Sequence, residues 1–179
     1  MRKILPYIYC SILLFTVGFA VGGYHGRTLS QKDIDDLARG NLQSMSLLIP
    51  TQKFPLFIRI LKTNMGVIFC NFSGALCFAL PAIVTTLYNG YSTGFFYSSA
   101  STVYGTGFVI RHTLPHSGEI LGILISCAIG LLGAADLMRY FIKSTLPVNL
   151  KVYYIPISVA ISITALSAAI EAFLSTLKY

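Results

Sequence analysis

Charge is what this sequence is short of: only 11% of its 179 residues are Asp, Glu, Lys or Arg, and six of them are acids. Soluble domains carry roughly 25% charged residues. A water-facing shell cannot be drawn from so few around a chain that is 55% hydrophobic with a mean hydropathy of +0.72. That excludes a soluble enzyme, and the same hydrophobicity excludes disorder. Cysteine is sparse and unpatterned. Cys10, Cys70, Cys77 and Cys127 fall in apolar runs without C-x-x-C spacing and read as small buried hydrophobes. No Gly-rich phosphate loop follows a strand and no H-E-x-x-H is present, and the G-x-S-x-G of Gly90 to Gly94 falls inside an apolar run instead of at a strand-to-helix turn, so no ATPase or serine hydrolase is expected within this chain. Nucleotide-driven work, if any, falls to a partner. The net charge of +7 is spread over dispersed Lys and Arg, which suits anionic lipid headgroups better than nucleic acid.

What the sequence has instead is long apolar runs. About 20 such residues cross a hydrocarbon layer roughly 30 Å thick, and five segments qualify: Ile4 to Tyr24, Met65 to Tyr88, Tyr91 to Ile110, His116 to Phe141 and Val152 to Leu177. The first follows Arg2 and Lys3 but exceeds a signal-peptide core and precedes no A-x-A-like site, so it reads as an uncleaved anchor. Asn89-Gly90 is expected to turn the second span tightly into the third, and Pro81 to kink the second. The expected fold is therefore an all-α polytopic bundle of about five spans. It divides into an anchor (1–25), an interfacial segment (26–62) and a four-span core (63–179). In the segment between spans one and two, Ser30 and Asp33 outline a capping box, and Ile34, Leu37, Met45 and Leu48 recur near helical spacing until Pro50. An amphipathic helix is predicted there, and Leu56 to Thr63 reads as a helix entering the membrane obliquely. With the N-terminus inside, Arg2, Lys3, Arg139, Lys143 and Lys151 face the cytoplasm against eight Lys and Arg outside, so charge leaves the orientation open.

Polar side chains at membrane depth are expensive and mark sites or packing contacts. Asp136 stands three residues before Arg139, the spacing of a helix-surface ion pair. Glu119 lies one turn inside the fourth span with His116 on the same face, and Glu171 lies near the end of the fifth. An odd number of crossings carries both glutamates to one side, together with Asn64, Arg111 and His112. Asn64, Asn71 and Asn89 are spaced to share one stripe of span two. Three roles fit this cluster: interhelical hydrogen bonding, an ion, lipid or peptide path, or a metal site in which His112, His116 and Glu119 run at i, i+4 and i+7. Small residues repeat every four positions as Gly90, Gly94, Ser98 and Thr102 on span three and as Gly118, Gly122, Ser126, Gly130 and Ala134 on span four. These two spans are expected to touch along most of their length, unless the stripes form a homodimer seam. Ser158, Ser162, Ala165 and Ala169 form a weaker stripe on span five.

From Thr63 to Arg139 the chain resembles the stage II sporulation protein M family of small multi-span membrane proteins. Asn64, Asn71, Leu87-Tyr88-Asn89-Gly90, Gly94, Leu114-Pro115-His116-Ser117-Gly118-Glu119 and Gly130 carry the likeness, and Ile170-Glu171-Ala172-Phe173 resembles the family's late glutamate. Thr63 departs from it, where an Asn or similar polar residue is expected. The resemblance implies a five-span protein of the cell membrane without demonstrated enzymatic activity or cofactor. It also implies partners drawn from envelope-remodelling proteins or from ATPase-coupled bacteriocin maturation and export. Three functions follow from the residues and the likeness together: a scaffold recruiting membrane partners or further copies of itself, a channel- or permease-like subunit, and an intramembrane metal hydrolase.

Overall fold

The computed structural model describes residues 3–28, 53–144 and 151–174. The predicted amphipathic helix over 30–48 lies outside the described residues. Within them the architecture is all helical: α1 (Leu5–Arg27), α2 (Lys53–Ser73), α3 (Leu80–Tyr104), the short α4 (Thr106–Thr113), a 3-10 turn (Leu114–His116), α5 (Ser117–Lys143) and α6 (Lys151–Leu174). Three helical stretches, Leu5–Arg27, Ser117–Lys143 and Val152–Phe173, are long and apolar enough to cross a membrane. α2 and α3 have the length, but the Asn and basic residues of α2 and the Asn, Ser and Thr of α3 keep them less apolar.

Burial is the reverse of a soluble protein's. The interior holds Ala128, Ala160, Ala168 and Ala172 together with Ser11, Asn71, Thr86, Ser126 and Thr164, while Leu13 is 64% exposed and Ile142 75% exposed. Water would penalise so much exposed hydrocarbon, whereas acyl chains solvate it, and small interior residues let helix backbones approach where hydrophobic force between helices is missing.

Two expectations of the sequence are corrected here. The turn joining α2 to α3 is not Asn89-Gly90 but the stretch from Gly74 to Ala79, closed by the Ala79 amide donating to the Gly74 carbonyl at 2.8 Å. Phe78 and Ala79 take left-handed backbone angles there, with φ of 49° and 68°. Pro81 then falls in the first turn of α3, where its missing N–H has no intrahelical partner to lose, so it starts a helix instead of kinking one. Asn89-Gly90 sits in the middle of α3, and Asn89 donates its side-chain amide to the Thr85 carbonyl of its own helix. The proposed stripe of three asparagines is thereby reduced to Asn64 and Asn71 of α2.

The second correction concerns the glycines of α3. They meet α1, not α5. A Cβ on Gly90 or Gly94 would run into the carbonyl oxygens of Phe15 and Phe19, and a Cβ on Gly18 or Gly22 would run into those of Leu87 and Tyr91. The two helices run parallel and form the most extensive helix pair among the described residues. The α5 stripe is divided between two other helices: Gly118 and Gly122 face Ser167 and Thr164 of α6, while Gly130 faces the Asn71 carbonyl of α2. On α6 the buried face is Ala160, Thr164, Ala168 and Ala172, with Ser158 and Ser162 exposed. The stripe expected from Ser158 is therefore out of register. Of the cysteines, Cys127 is buried, whereas Cys10, Cys70 and Cys77 lie exposed on the outer surface and are free thiols.

Candidate functional site

The site forms where α2, α5 and α6 converge at one end of the bundle. α5 runs parallel to α2 and antiparallel to α6, so the beginning of α5 meets the middle of α2 and the end of α6. His116 closes the 3-10 turn opened by Leu114-Pro115, and Glu119 sits in the first turn of α5, where a carboxylate is favoured by the helix dipole. Close passage of α6 at this point depends on Gly118, whose missing side chain leaves room for Ser167, one turn before Glu171.

His116 bridges the two carboxylates. Its Nδ1 lies 3.1 Å from Oε2 of Glu171 and 3.5 Å from Oε2 of Glu119. The other oxygen of Glu119, Oε1, accepts a hydrogen bond of 2.5 Å from the side-chain amide of Asn64. The carboxylates are largely covered, with Glu119 13% and Glu171 21% exposed, while the imidazole stands at the rim at 44%. Hydrogen bonding to Glu119 and then to Glu171 raises the His116 pKa to about 10 against the smaller opposing effect of burial, because an imidazolium between two carboxylates is favoured over a neutral ring.

One stretch further along the same three-helix seam, Asn71 donates to Ser126 Oγ at 2.8 Å and to the Ile123 carbonyl at 3.2 Å. Thr164 is 1% exposed and packs on Gly122. Its hydroxyl, like the side-chain oxygen of Asn71, is buried without a hydrogen-bond partner.

The structure thus brings together His116, Glu119, Glu171 and Asn64, with Asn71 beyond them. It does not bring in Asn89, which lies on α3, and Arg111 is exposed at the end of α4. The side chain of His112 lies outside the described residues. Among the described residues the metal-type grouping is His116, Glu119 and Glu171, whose donor atoms all fall within 4.8 Å of one another. Glu171 of α6 thus joins the His116 and Glu119 of the i, i+4, i+7 pattern. At the opposite end, Asp136 pairs with Arg139 at 2.8 Å as its spacing predicts. It also accepts a bond of 2.5 Å from the Tyr153 hydroxyl, a contact between helices that no local spacing encodes.

Residues 11–176 match the model of the family described as Stage II sporulation protein M. The chain belongs to that family. The match takes in α1 from Ser11 onward as well as the region from Thr63 to Arg139 in which the likeness was legible. No curated protein and no solved structure shows a similarity to it. Family membership and its apolar helices together make it a membrane protein of the stage II sporulation protein M family.

Proposed function

We propose that this family member is a multi-pass scaffold of the cell membrane, without enzymatic activity of its own, that recruits envelope or membrane partners from the end of the bundle carrying the polar cluster. The observation that supports this reading is how the costly polar groups are used. Asn64 bonds Glu119 across α2 and α5, His116 bonds Glu171 across the 3-10 turn and α6, and Asn71 bonds Ser126 across α2 and α5. Each bond fixes one helix against another and leaves a rigid platform. Reconstituted in liposomes, the protein is expected to give no proton or potassium flux above protein-free vesicles. Glu119→Gln, which keeps the acceptor for Asn64 but removes the charge facing His116, is expected to lower the thermal midpoint without changing that baseline.

A channel- or permease-like subunit, with or without an ATPase partner, is the second reading. It is favoured by the buried, unpaired oxygens of Asn71 and Thr164, which continue the polar seam inward from the cluster. Ion flux that disappears in Glu119→Gln would replace the scaffold with this alternative.

A further inference from the structure

We propose that His116, Glu119 and Glu171 form a binding site for one divalent transition-metal ion of the zinc class. A four-coordinate zinc holds its nitrogen and oxygen ligands at about 2.0–2.1 Å, which puts neighbouring donors of a tetrahedron roughly 3.3–3.4 Å apart. The two separations from His116 Nδ1, 3.1 Å and 3.5 Å, bracket that edge. The third edge, between the glutamates, lies within the 4.8 Å span of the group, and a carboxylate closes such a gap by rotating about its terminal torsion, which is broad.

The surroundings match the chemistry of a bound cation. The donors come from three places, a 3-10 turn, the first turn of α5 and the end of α6, so they are held by the packing of the bundle and not by one flexible loop. Asn64 takes the outer oxygen of Glu119 and leaves Oε2 directed at His116, as outer-shell partners orient metal ligands. The carboxylates are largely covered while the imidazole is 44% exposed at the rim, which leaves an approach from outside and a fourth position for water. Two carboxylates drawn this close are both ionised only with a cation between them. The imidazolium proton supplies one; a metal ion supplies a better one by binding both oxygens and the ring nitrogen at once. Binding displaces that proton to solvent, with no redox change.

The scaffold reading and this site share residues but not fates: helices locked by the cluster without any ion would sink the metal site alone. The test uses the full-length protein in detergent, stripped with a chelator and titrated with cobalt(II) as a spectroscopic stand-in for zinc. One equivalent is expected to bind per chain with the intense visible absorption of four-coordinate cobalt, to be displaced by zinc, and to be lost in Glu171→Gln and His116→Ala. Asn64→Ala is expected to weaken binding by about tenfold, and His25→Ala to leave it unchanged. His116→Cys keeps a donor at the position and adds a thiolate-to-cobalt charge-transfer band, which identifies the ligand even where the alanine variant fails to fold. Absence of binding by the wild type, a weak six-coordinate spectrum, or binding retained in Glu171→Gln would each overturn the proposal.

Discussion

Asn71 shows how a single buried amide is valued in this bundle. Its Nδ2 serves two acceptors on α5 while its oxygen serves none. Interhelical hydrogen bonds of this kind average about 0.6 kcal/mol in membrane bundles, and a leucine would also remove the unpaired acceptor, though it is the larger side chain in a fully buried site. Asn71→Leu is therefore expected to cost about 1–3 kcal/mol, mostly from overpacking. Asn71→Asp loses both donors and turns an acceptor toward the Ile123 carbonyl oxygen, so it is expected to be the more destabilising of the two. Thermal unfolding of both variants in the same detergent checks the order, and an aspartate as stable as the leucine would contradict the hydrogen-bond assignment. At this scale much was legible. The pairing of Glu119 with Glu171 follows from counting crossings, and Asp136 with Arg139 from helical spacing. Tyr153 on Asp136 and His25 on Tyr91 were not legible, because each joins helices whose relative rotation is set only by packing.

Among helices, the glycines carry the contrast between what a pattern encodes and what it leaves open. The repeat of Gly90 and Gly94 was visible, but its partner was not, since two stripes of equal period can be matched in several ways. The decisive signal lies on α1, where Gly18, Gly22 and Gly26 repeat at the same interval and are buried. The Asn-Gly pair misled for the same reason. It favours a turn in water, yet here Gly90 is needed as a gap for the Phe15 carbonyl, and tertiary packing overrides local propensity. A matched pair of substitutions tests this. Gly66→Ala, where an added Cβ meets nothing, is expected to be neutral or to stabilise by up to about 1 kcal/mol through helix propensity. Gly94→Ala forces α1 away from α3 and is expected to destabilise by about 1–3 kcal/mol. Thermal midpoints moving the same way for both would remove the close approach as the cause.

For the whole molecule, the relocated turn leaves the polarity of the bundle unchanged. α3 is 25 residues long, about 37 Å at 1.5 Å per residue, enough to carry the chain from one leaflet to the other. A crossing by α3 would put the Gly74 to Ala79 turn and the His116 cluster on opposite sides of the bilayer. A chain retaining Cys77 as its sole cysteine, with Cys10, Cys70 and Cys127 replaced by serine, is expected to react with a membrane-impermeant thiol reagent from one face of sealed vesicles. The same background with Cys77 also replaced and Arg111→Cys introduced is expected to react from the other. Labelling of both from one side would mean that α3 does not cross.

The parallel pairing of α1 with α3 also bears on how the chain is made. α1 leaves the ribosome long before α3, and α2 must be synthesised and laid down in between. Its glycine-lined groove, unable to close on any neighbour yet inserted, has to wait in the lipid until residue 94 arrives. Closure of this pair is thus ordered by its second half: a chain ending after α2 lacks the surface on α3 that receives the first helix.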